Sequence, residues 1–416
     1  RADRVLAWTE RFRASALLTR PARPPADAEV AEDLAALRTL VSQVEGAAFA
    51  DEESAPLLRR QAALEEEIRR KSWHARGDAE DPARDPPSVA NLSGALADAA
   101  LVEFLESDGN LHAVCVAGER ATLHPLAGVD QVAIEVQALR FALSRLARRR
   151  GSLASRRAAV DSLRHSMGRL DELLLAPLAP ETGDRPLVVV PTGALHALPW
   201  STLPSCRGRP LSVCPSAALW LRASREPAGP PMRKAVLVAG PGLPNAADEV
   251  TELRRVYPAG SSFSGAEAST ANVTAAADGA SLLHVAAHGT FRADNPLFSS
   301  LQLADGPLTV YDLEALPRAP RHVVLSACDA GLSAVRPGAE LMGLTAALFS
   351  LGSQVLVASV VPVADEVTRP LMLDVHRRLA AGTRAAESLS EAQAALGADG
   401  GEELASTGGF VCFGAG

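Results

Sequence analysis

The sequence predicts an α/β protein with a mainly parallel sheet that helices cover on both faces. Two observations carry this prediction. Residues 234–416 alternate between short apolar runs, which are typical of buried strands, and longer segments with helical spacing of their apolar residues. Polar residues and glycines directly follow two of the apolar runs, as they do where a parallel sheet presents functional groups at the carboxyl ends of its strands.

Each strand and helix of this region follows from a local pattern. The apolar runs that predict strands are 235–239, 282–287, 323–327, 355–361 and 410–413. The segments that predict helices are 246–256, 339–351, 366–381 and 385–396. Gly382 and Gly397 stand where a glycine commonly ends a helix, which supports the last two boundaries.

The part before residue 234 is predicted to hold a helical segment and a smaller α/β unit. Residues 1–75 carry apolar stripes that predict a helical hairpin packed on a preceding segment, and 76–90 form a proline-rich linker. Residues 91–223 open with a hairpin signal at Ser107-Asp108-Gly109-Asn110 and continue with two helical stripes and a strand at 187–190. A second linker, 224–233, precedes the unit 234–416.

Composition and charge exclude several classes of function. The formal net charge of −8 over 416 residues argues against nucleic acid or an anionic membrane surface as partner. No apolar run has the length of a transmembrane helix, and no signal-peptide pattern opens the chain. Because the chain begins at Arg1 and not at methionine, we expect that an upstream part precedes it.

The cysteines predict a reducing compartment, and we expect the cytoplasm. They are odd in number and widely spaced, so they predict neither a disulfide framework nor a CxxC metal pair. No pattern in the chain predicts a cofactor or a metal ion. The five cysteines are Cys115, Cys206, Cys214, Cys328 and Cys412.

The most informative residues are a histidine and a cysteine that each end a predicted strand. His288-Gly289 follows 282–287, and Cys328 lies in Ser326-Ala327-Cys328-Asp329-Ala330-Gly331 after the run that begins at 323. Two such ends can bring a thiolate and an imidazolium together, the pair that makes a cysteine nucleophilic. The N–H groups of Gly289 and Cys328 would then stabilise an oxyanion. The alternative is a buried structural cysteine at a strand end.

Three other patterns suggest chemistry but have simpler interpretations. His284 and His288 have the spacing of a helical zinc pair, but four residues along a strand span roughly 13 Å, so we expect a packed, hydrogen-bonded His284. His196 is likewise expected to be structural. Gly240-Pro241-Gly242 lacks the full phosphate-loop patterns, so nucleotide binding is not predicted, and the chain has no GxSxG elbow of a serine hydrolase.

Asp365 and Glu366 follow the run 355–361 and begin a predicted helix. Their ordinary role is to stabilise the amino terminus of that helix through its dipole. The functional alternative is a carboxylate at the carboxyl edge of the sheet that binds a basic side chain of a substrate. Spacing alone favours the helix cap.

Residues 90–416 resemble the CHAT family, caspase-like domains related to separase. The resemblance depends on many ordered blocks and is therefore far more specific than one histidine and one cysteine. The blocks are Val190-Pro191-Thr192-Gly193-Ala194-Leu195-His196-Ala197-Leu198-Pro199-Trp200, Pro215-Ser216-Ala217, His284-Val285-Ala286-Ala287-His288-Gly289, Asn295-Pro296-Leu297-Phe298-Ser299-Ser300-Leu301, Asp305-Gly306-Pro307-Leu308-Thr309, Leu325-Ser326-Ala327-Cys328-Asp329-Ala330-Gly331, Glu340-Leu341-Met342-Gly343-Leu344 and Val363-Ala364-Asp365-Glu366-Val367-Thr368.

The resemblance implies a caspase-like fold and a site. It implies that 234–416 is the catalytic half, that 91–223 is a degenerate caspase-like half, and that 1–75 is the tail of an upstream helical-repeat region. It implies a catalytic dyad of His288 and Cys328 with Gly289 in the oxyanion hole. Asp365 falls where separase-like members place an acid for a basic P1 side chain. Ser359-Val360-Val361-Pro362 departs from the Ser-Leu-Trp stretch of many members and puts the wall of that pocket in doubt.

Two functions remain open from the sequence. The first is a bacterial, cytoplasmic cysteine endopeptidase that cleaves a protein partner after a basic residue. The second is a dormant caspase-like scaffold that acts as an interaction module with a regulatory partner.

Overall fold

The computed structural model describes residues 2–17, 28–49, 55–74, 86–147, 152–225, 232, 234–290, 298–326, 344–345, 348–361, 363, 365–397, 401, 404 and 407–416. The predicted helix 339–351 lies mostly outside these residues.

The described residues form one large mixed sheet and one small sheet. The large sheet has eleven strands in the order β3-β2-β1-β4-β5-β14-β13-β12-β8-β6-β7, and the small sheet has the order β11-β10-β9. The strands are β1 Ala100–Ser107, β2 Asn110–Ala117, β3 Arg120–Gly128, β4 Leu187–Val190, β5 Leu211–Val213, β6 Ala235–Ala239, β7 Ser261–Phe263, β8 Leu282–Ala286, β9 Gly289–Thr290, β10 Ser300–Leu303, β11 Gly306–Thr309, β12 His322–Leu325, β13 Val355–Ser359 and β14 Phe410–Gly414.

Helices cover both faces of the large sheet. They are α1 Ala2–Leu17, α2 Ala28–Phe49, α3 Ala55–His74, α4 Val89–Leu96, α5 Val129–Ala147, α6 Leu153–Leu174, α7 Ala179–Thr182, α8 Ala217–Arg225, α9 Ala246–Val256, α10 Thr270–Ala277, α11 Val310–Glu314, α12 Asp365–Ala380 and α13 Ala385–Leu396. Short 3-10 turns fill the segment between β4 and β5.

Alternation along the central strands builds a core on each side of the sheet. In β8, Leu283 and Val285 belong to one apolar cluster, while Leu282 and Ala286 belong to the other. Successive residues of a strand point to opposite faces, so a strand that helices cover on both sides must be apolar throughout. This requirement explains why the central strands were predictable as continuous apolar runs.

The two halves of the large sheet run in opposite directions. Strand β14 pairs in parallel with β5 and antiparallel with β13. On one side β4 and β5 are parallel, and on the other β6, β8, β12 and β13 are parallel to one another. The carboxyl ends of β8 and β12 therefore lie at the edge of the sheet opposite to the carboxyl ends of β4 and β5.

One arginine of helix α1 lies at the carboxyl ends of the parallel strands β4 and β5 in the first half of the sheet. The guanidinium of Arg13 donates to the carbonyls of Phe104 at 2.6 Å, Pro191 at 2.8 Å and Pro215 at 3.3 Å. The carbonyls of Pro191 and Pro215 lie just beyond β4 and β5, and Phe104 follows the last residue of β1 that pairs with β4. The Nε of Arg13 also lies 3.3 Å from the fully buried carboxylate of Glu103. The edge at which such a sheet usually binds a ligand is thus filled by the chain itself.

A glutamate of α1 caps the first turn of α8. The carboxylate of Glu10 accepts hydrogen bonds from the N–H groups of Ala217 at 2.9 Å and Ala218 at 2.8 Å. Both N–H groups lack an intrahelical partner, because they belong to the first turn of the helix. Burial raises the pKa of Glu10, while these two hydrogen bonds and Arg13 oppose that rise.

The hairpin of α2 and α3 packs on the second half of the chain. The expected packing on a segment before Arg1 stays a prediction. Leu34, Leu37 and Ile68 form a cluster with Phe298 and Tyr311 of the second half. An ion pair joins Arg38 of α2 to Asp312 of α11 at 3.0 Å. The apolar stripe was therefore correctly predicted as buried, but its partner lies far away in the sequence.

The predicted α/β fold class, with a mainly parallel sheet between helices, is confirmed. The strands 187–190 and 235–239 and the helices 246–256 and 385–396 have the predicted bounds. The division of the chain into two halves stays a prediction, since the sheet is continuous across them.

We predict that Glu10→Ala destabilises the protein by about 2 kcal/mol, because two N–H groups in the first turn of α8 lose their acceptor. Urea unfolding followed by circular dichroism measures the change. Arg11→Ala is the control, since Arg11 is the next residue of α1 and its side chain is exposed. Equal stability of the two variants would contradict the capping role of Glu10.

Candidate active site

The backbone register sets the candidate site at the carboxyl ends of β8 and β12. Leu325 of β12 pairs with Val285 of β8, and the N–H of Ser326 donates to the carbonyl of Val285 at 3.0 Å. His288 follows Val285 by three residues, and Cys328 follows Leu325 by three residues. Paired strands lie roughly 4.8 Å apart, so the carboxyl ends of β8 and β12 lie side by side. Cys328 itself lies outside the described residues.

His288 stands where the two sheets meet. Its side chain is half-buried, and its carbonyl accepts a hydrogen bond from the N–H of Gln302 at 2.8 Å. This bond joins the end of β8 to β10 of the small sheet. Gly289, the next residue, begins β9 and pairs with Leu301. The assignment of Gly289 and Cys328 to an oxyanion hole stays a prediction.

The imidazole of His288 packs against a glycine that the sequence did not mark as functional. A Cβ on Gly242 would lie 3.3 Å from Nε2 of His288, closer than most Cβ contacts. Gly242 has φ +80°, a left-handed conformation that favours glycine. The segment Gly240-Pro241-Gly242 therefore contacts the ring of His288 through Gly242.

Gly240 joins this segment to β8 through a backbone hydrogen bond. Its N–H donates to the carbonyl of Ala286 at 2.8 Å. A Cβ on Gly240 would lie 2.5 Å from Cβ of Ala287 and 2.7 Å from the carbonyl oxygen of Gln302, so no larger residue fits. These glycines directly follow β6, the strand next to β8. Glycines directly after a central strand are the sequence signal that could have indicated their place beside His288.

His284 and His196 agree with their predicted structural roles. His284 is fully buried, and its Nδ1 lies 3.0 Å from Nε2 of His376, which confirms a packed, hydrogen-bonded side chain. His196 is half-buried, and burial together with the charge of Arg13 lowers its pKa to about 4. Among the described residues, no cluster of histidines, cysteines or carboxylates has the arrangement of a metal site.

The segment that leads to Asp365 contains two buried valines. Asp365 is the first residue of α12, and its side chain lies outside the described set. Val360 and Val361, which stand where many family members have leucine and tryptophan, are buried. The first position of α12 fits a helix cap, and the role of Asp365 in substrate binding stays a prediction.

The four described cysteines are poor nucleophiles. All four are buried and without a disulfide partner. Burial raises the pKa of Cys115, Cys206 and Cys412 to about 12, and it raises the pKa of Cys214 as well. Near neutral pH these thiols stay protonated, so they do not compete with a low-pKa cysteine for an electrophile.

No helix among the described residues combines the length and the apolar character that crossing a membrane requires.

The fold is similar to that of separase. Two crystal structures of the Saccharomyces cerevisiae separase–securin complex match with TM-scores of 0.59 and 0.57 at 8% and 9% identity. Each match covers 84% of this chain and 31% of the other chain, so this chain spans about a third of the separase chain. At such low identity the likeness shows the fold. No curated protein sequence matches this chain.

The family itself is identified from the sequence. The CHAT domain model matches residues 164–406, which is more than half of the chain and includes both predicted dyad residues. With the separase-like fold and the side-by-side ends of β8 and β12 already established, the chain belongs to the CHAT domain family.

Proposed function

We propose that this protein is a cysteine endopeptidase in which Cys328 is the nucleophile and His288 is the general base and acid. The observation that carries the proposal is the register of β8 and β12, in which each of the two residues follows a paired position by three residues. Membership of the CHAT family and a separase-like fold support a caspase-like protease.

The first half of the reaction forms a covalent intermediate. His288 takes the thiol proton of Cys328, and the thiolate attacks the carbonyl carbon of the scissile peptide bond. The N–H groups of Gly289 and Cys328 stabilise the oxyanion, and each such donor is commonly worth roughly 10² to 10³ in rate. His288 then gives its proton to the departing amine, which leaves a thioester on Cys328.

The second half returns the enzyme to its starting state. His288 takes a proton from a water molecule, which attacks the thioester carbon. The tetrahedral intermediate collapses, the carbon–sulfur bond breaks, and the new carboxyl end of the substrate is released. Cys328 recovers a proton from the imidazolium, so no cofactor or metal takes part in the cycle.

The substrate is proposed to be a protein with a basic residue before the scissile bond. The support is the position of Asp365 at the start of α12, which follows β13, the neighbour of β12. A carboxylate there would pair with an arginine or lysine side chain of the substrate. The five widely spaced cysteines, which predict no disulfide framework, support a reducing compartment, and we propose the cytoplasm.

We predict that Cys328 reacts with iodoacetamide as a thiolate well below the usual thiol pKa of about 8.5, because His288 stabilises the charged form. The second-order rate measured between pH 5 and pH 9 reports this pKa. His288→Ala should lower the rate at pH 6 by at least about tenfold and move the midpoint towards 8.5.

The other four cysteines should not contribute to the measured alkylation rate. Cys115, Cys206 and Cys412, with pKa values of about 12, stay protonated across the range, and Cys214 is also buried. Native Cys328→Ser protein should therefore take up no label. A wild-type midpoint near 8.5 that His288→Ala leaves unchanged would favour the dormant scaffold instead.

We predict that Gly242→Ala lowers kcat/KM on an arginine-containing peptide by at least about tenfold, because the new Cβ displaces the ring of His288. Gly265→Ala is the matched control. Gly265 has φ +54° and no neighbour within 4 Å of an added Cβ, so this variant carries the backbone strain alone. Equal losses in the two variants would exclude a role of Gly242 beside His288.

We predict that Asp365→Asn lowers kcat/KM for a peptide with arginine at P1 by roughly a hundredfold relative to a matched peptide with norleucine, because the ion pair is lost. Glu366→Gln, the neighbouring acid in the same helix turn, should leave this ratio unchanged. If Asp365 serves only as a helix cap, both variants will shift the thermal midpoint and neither will change the ratio.

A further inference from the structure

A chain of buried polar groups lies between the sheet and the helices α9 and α12. The hydroxyl of Ser326 donates to Oε1 of Glu249 at 2.5 Å. The Nε2 of His284 lies 2.9 Å from the same oxygen, without the alignment of a hydrogen bond. Beyond it, His376 bonds to His284 at 3.0 Å and to the hydroxyl of Tyr257 at 3.1 Å.

These groups are shielded from water almost completely. Glu249 and Ser326 are 1% exposed, and His284 and His376 are 0% exposed. Burial, with the neighbouring His284 as a smaller cause, lowers the pKa of His376 well below its usual value, so this ring is neutral. A neutral imidazole has one donor and one acceptor nitrogen, which suits its place between the ring of His284 and the hydroxyl of Tyr257.

One member of this chain, Ser326, directly follows β12 and is the last residue that the structure describes before Cys328. Ser326 is held from two sides, because its N–H bonds to Val285 of β8 and its hydroxyl bonds to Glu249 of α9. His284 of β8 contacts the same carboxylate oxygen. One oxygen atom of Glu249 therefore ties the end of β12 to α9 and, through His284, to β8.

Stability alone gives little reason for this arrangement. A buried carboxylate carries a large desolvation cost, and well-packed apolar side chains in place of buried charged groups are often neutral or stabilising. What the carboxylate adds is direction, since a hydrogen bond fixes the distance and angle of its partner more narrowly than an apolar contact does.

We propose that Glu249 and Ser326 are positioning residues that set the start of the Cys328 segment relative to β8 and thereby place the thiol against His288. This inference rests on the proposed function. Neither residue is proposed to touch the substrate. The effect of removing them should appear in the rate of the chemical step and in thiol reactivity, while substrate binding is left intact.

The first experiment compares Ser326→Ala with Ser353→Ala. Ser353 is a matched control, because it is 2% exposed and its hydroxyl donates to the carbonyl of Pro320 at 2.6 Å, before the amino end of β12. Both variants lose one buried hydrogen bond and should lower the urea midpoint similarly. Only Ser326→Ala should lower the alkylation rate of Cys328 at pH 7, by at least about tenfold, and kcat by a similar factor with KM unchanged.

The second experiment separates the acceptor oxygen of Glu249 from its charge. Glu249→Gln keeps an oxygen that can accept from Ser326, so it should retain at least about half of the alkylation rate, whereas Glu249→Ala should match Ser326→Ala. Glu252→Gln is the control on the same helix, because Glu252 pairs with Arg369 outside this chain of polar groups. It should leave the rate unchanged.

The outcomes separate this inference from the proposed function. A His288-dependent thiolate in the wild type, together with equal alkylation rates in Ser326→Ala and Ser353→Ala, would overturn the positioning role and leave the peptidase intact. An ordinary Cys328 thiol that does not depend on His288 in the wild type would overturn both.

Discussion

The parallel pairing of β8 with its two neighbours is the constraint on which the candidate site depends. Strand β8 is bonded to β6 on one side and to β12 on the other, and all three are buried on both faces. A shift of one residue would turn every side chain to the opposite face, so the pairing has one register. That register decides which residues leave the sheet together. His288 follows β8, and Gly242 and Ser326 follow the strands beside it.

Sequence reasoning reached the elements whose signal is local. The central strands are apolar throughout because helices cover both of their faces, and His288-Gly289 is marked by its place after such a run. Short edge strands such as Ser261–Phe263 and Gly306–Thr309 were missed, since three or four mixed residues carry no periodicity. The hydrogen bond between Ser326 and Glu249 was also missed, because it spans 77 residues and no spacing rule connects the two positions.

The carboxyl ends of the parallel strands, which lie at opposite edges of the large sheet in the two halves, have different surroundings. In the second half these ends lead to His288, whose carbonyl accepts a hydrogen bond from Gln302 of the small sheet. In the first half the corresponding edge is occupied by Glu10 and Arg13 of α1. That the first half is degenerate stays a prediction, and side chains of the same chain at this edge are a physical reason to expect it.

Each half has a buried glutamate near the carboxyl ends of its parallel strands, and the two glutamates accept hydrogen bonds from different kinds of donor. Glu10 satisfies two backbone N–H groups of α8, so its role is complete within the fold. Glu249 accepts from a side chain that stands two residues before the proposed nucleophile. Replacing Glu10 should therefore lower the free energy of unfolding. Replacing Glu249 by a residue that cannot accept a hydrogen bond should mainly lower the reactivity of Cys328. Burying a polar group costs desolvation energy, and the group can offset that cost by satisfying the backbone or can serve to orient a reacting group. Glu10 is an example of the first, and we propose Glu249 as an example of the second.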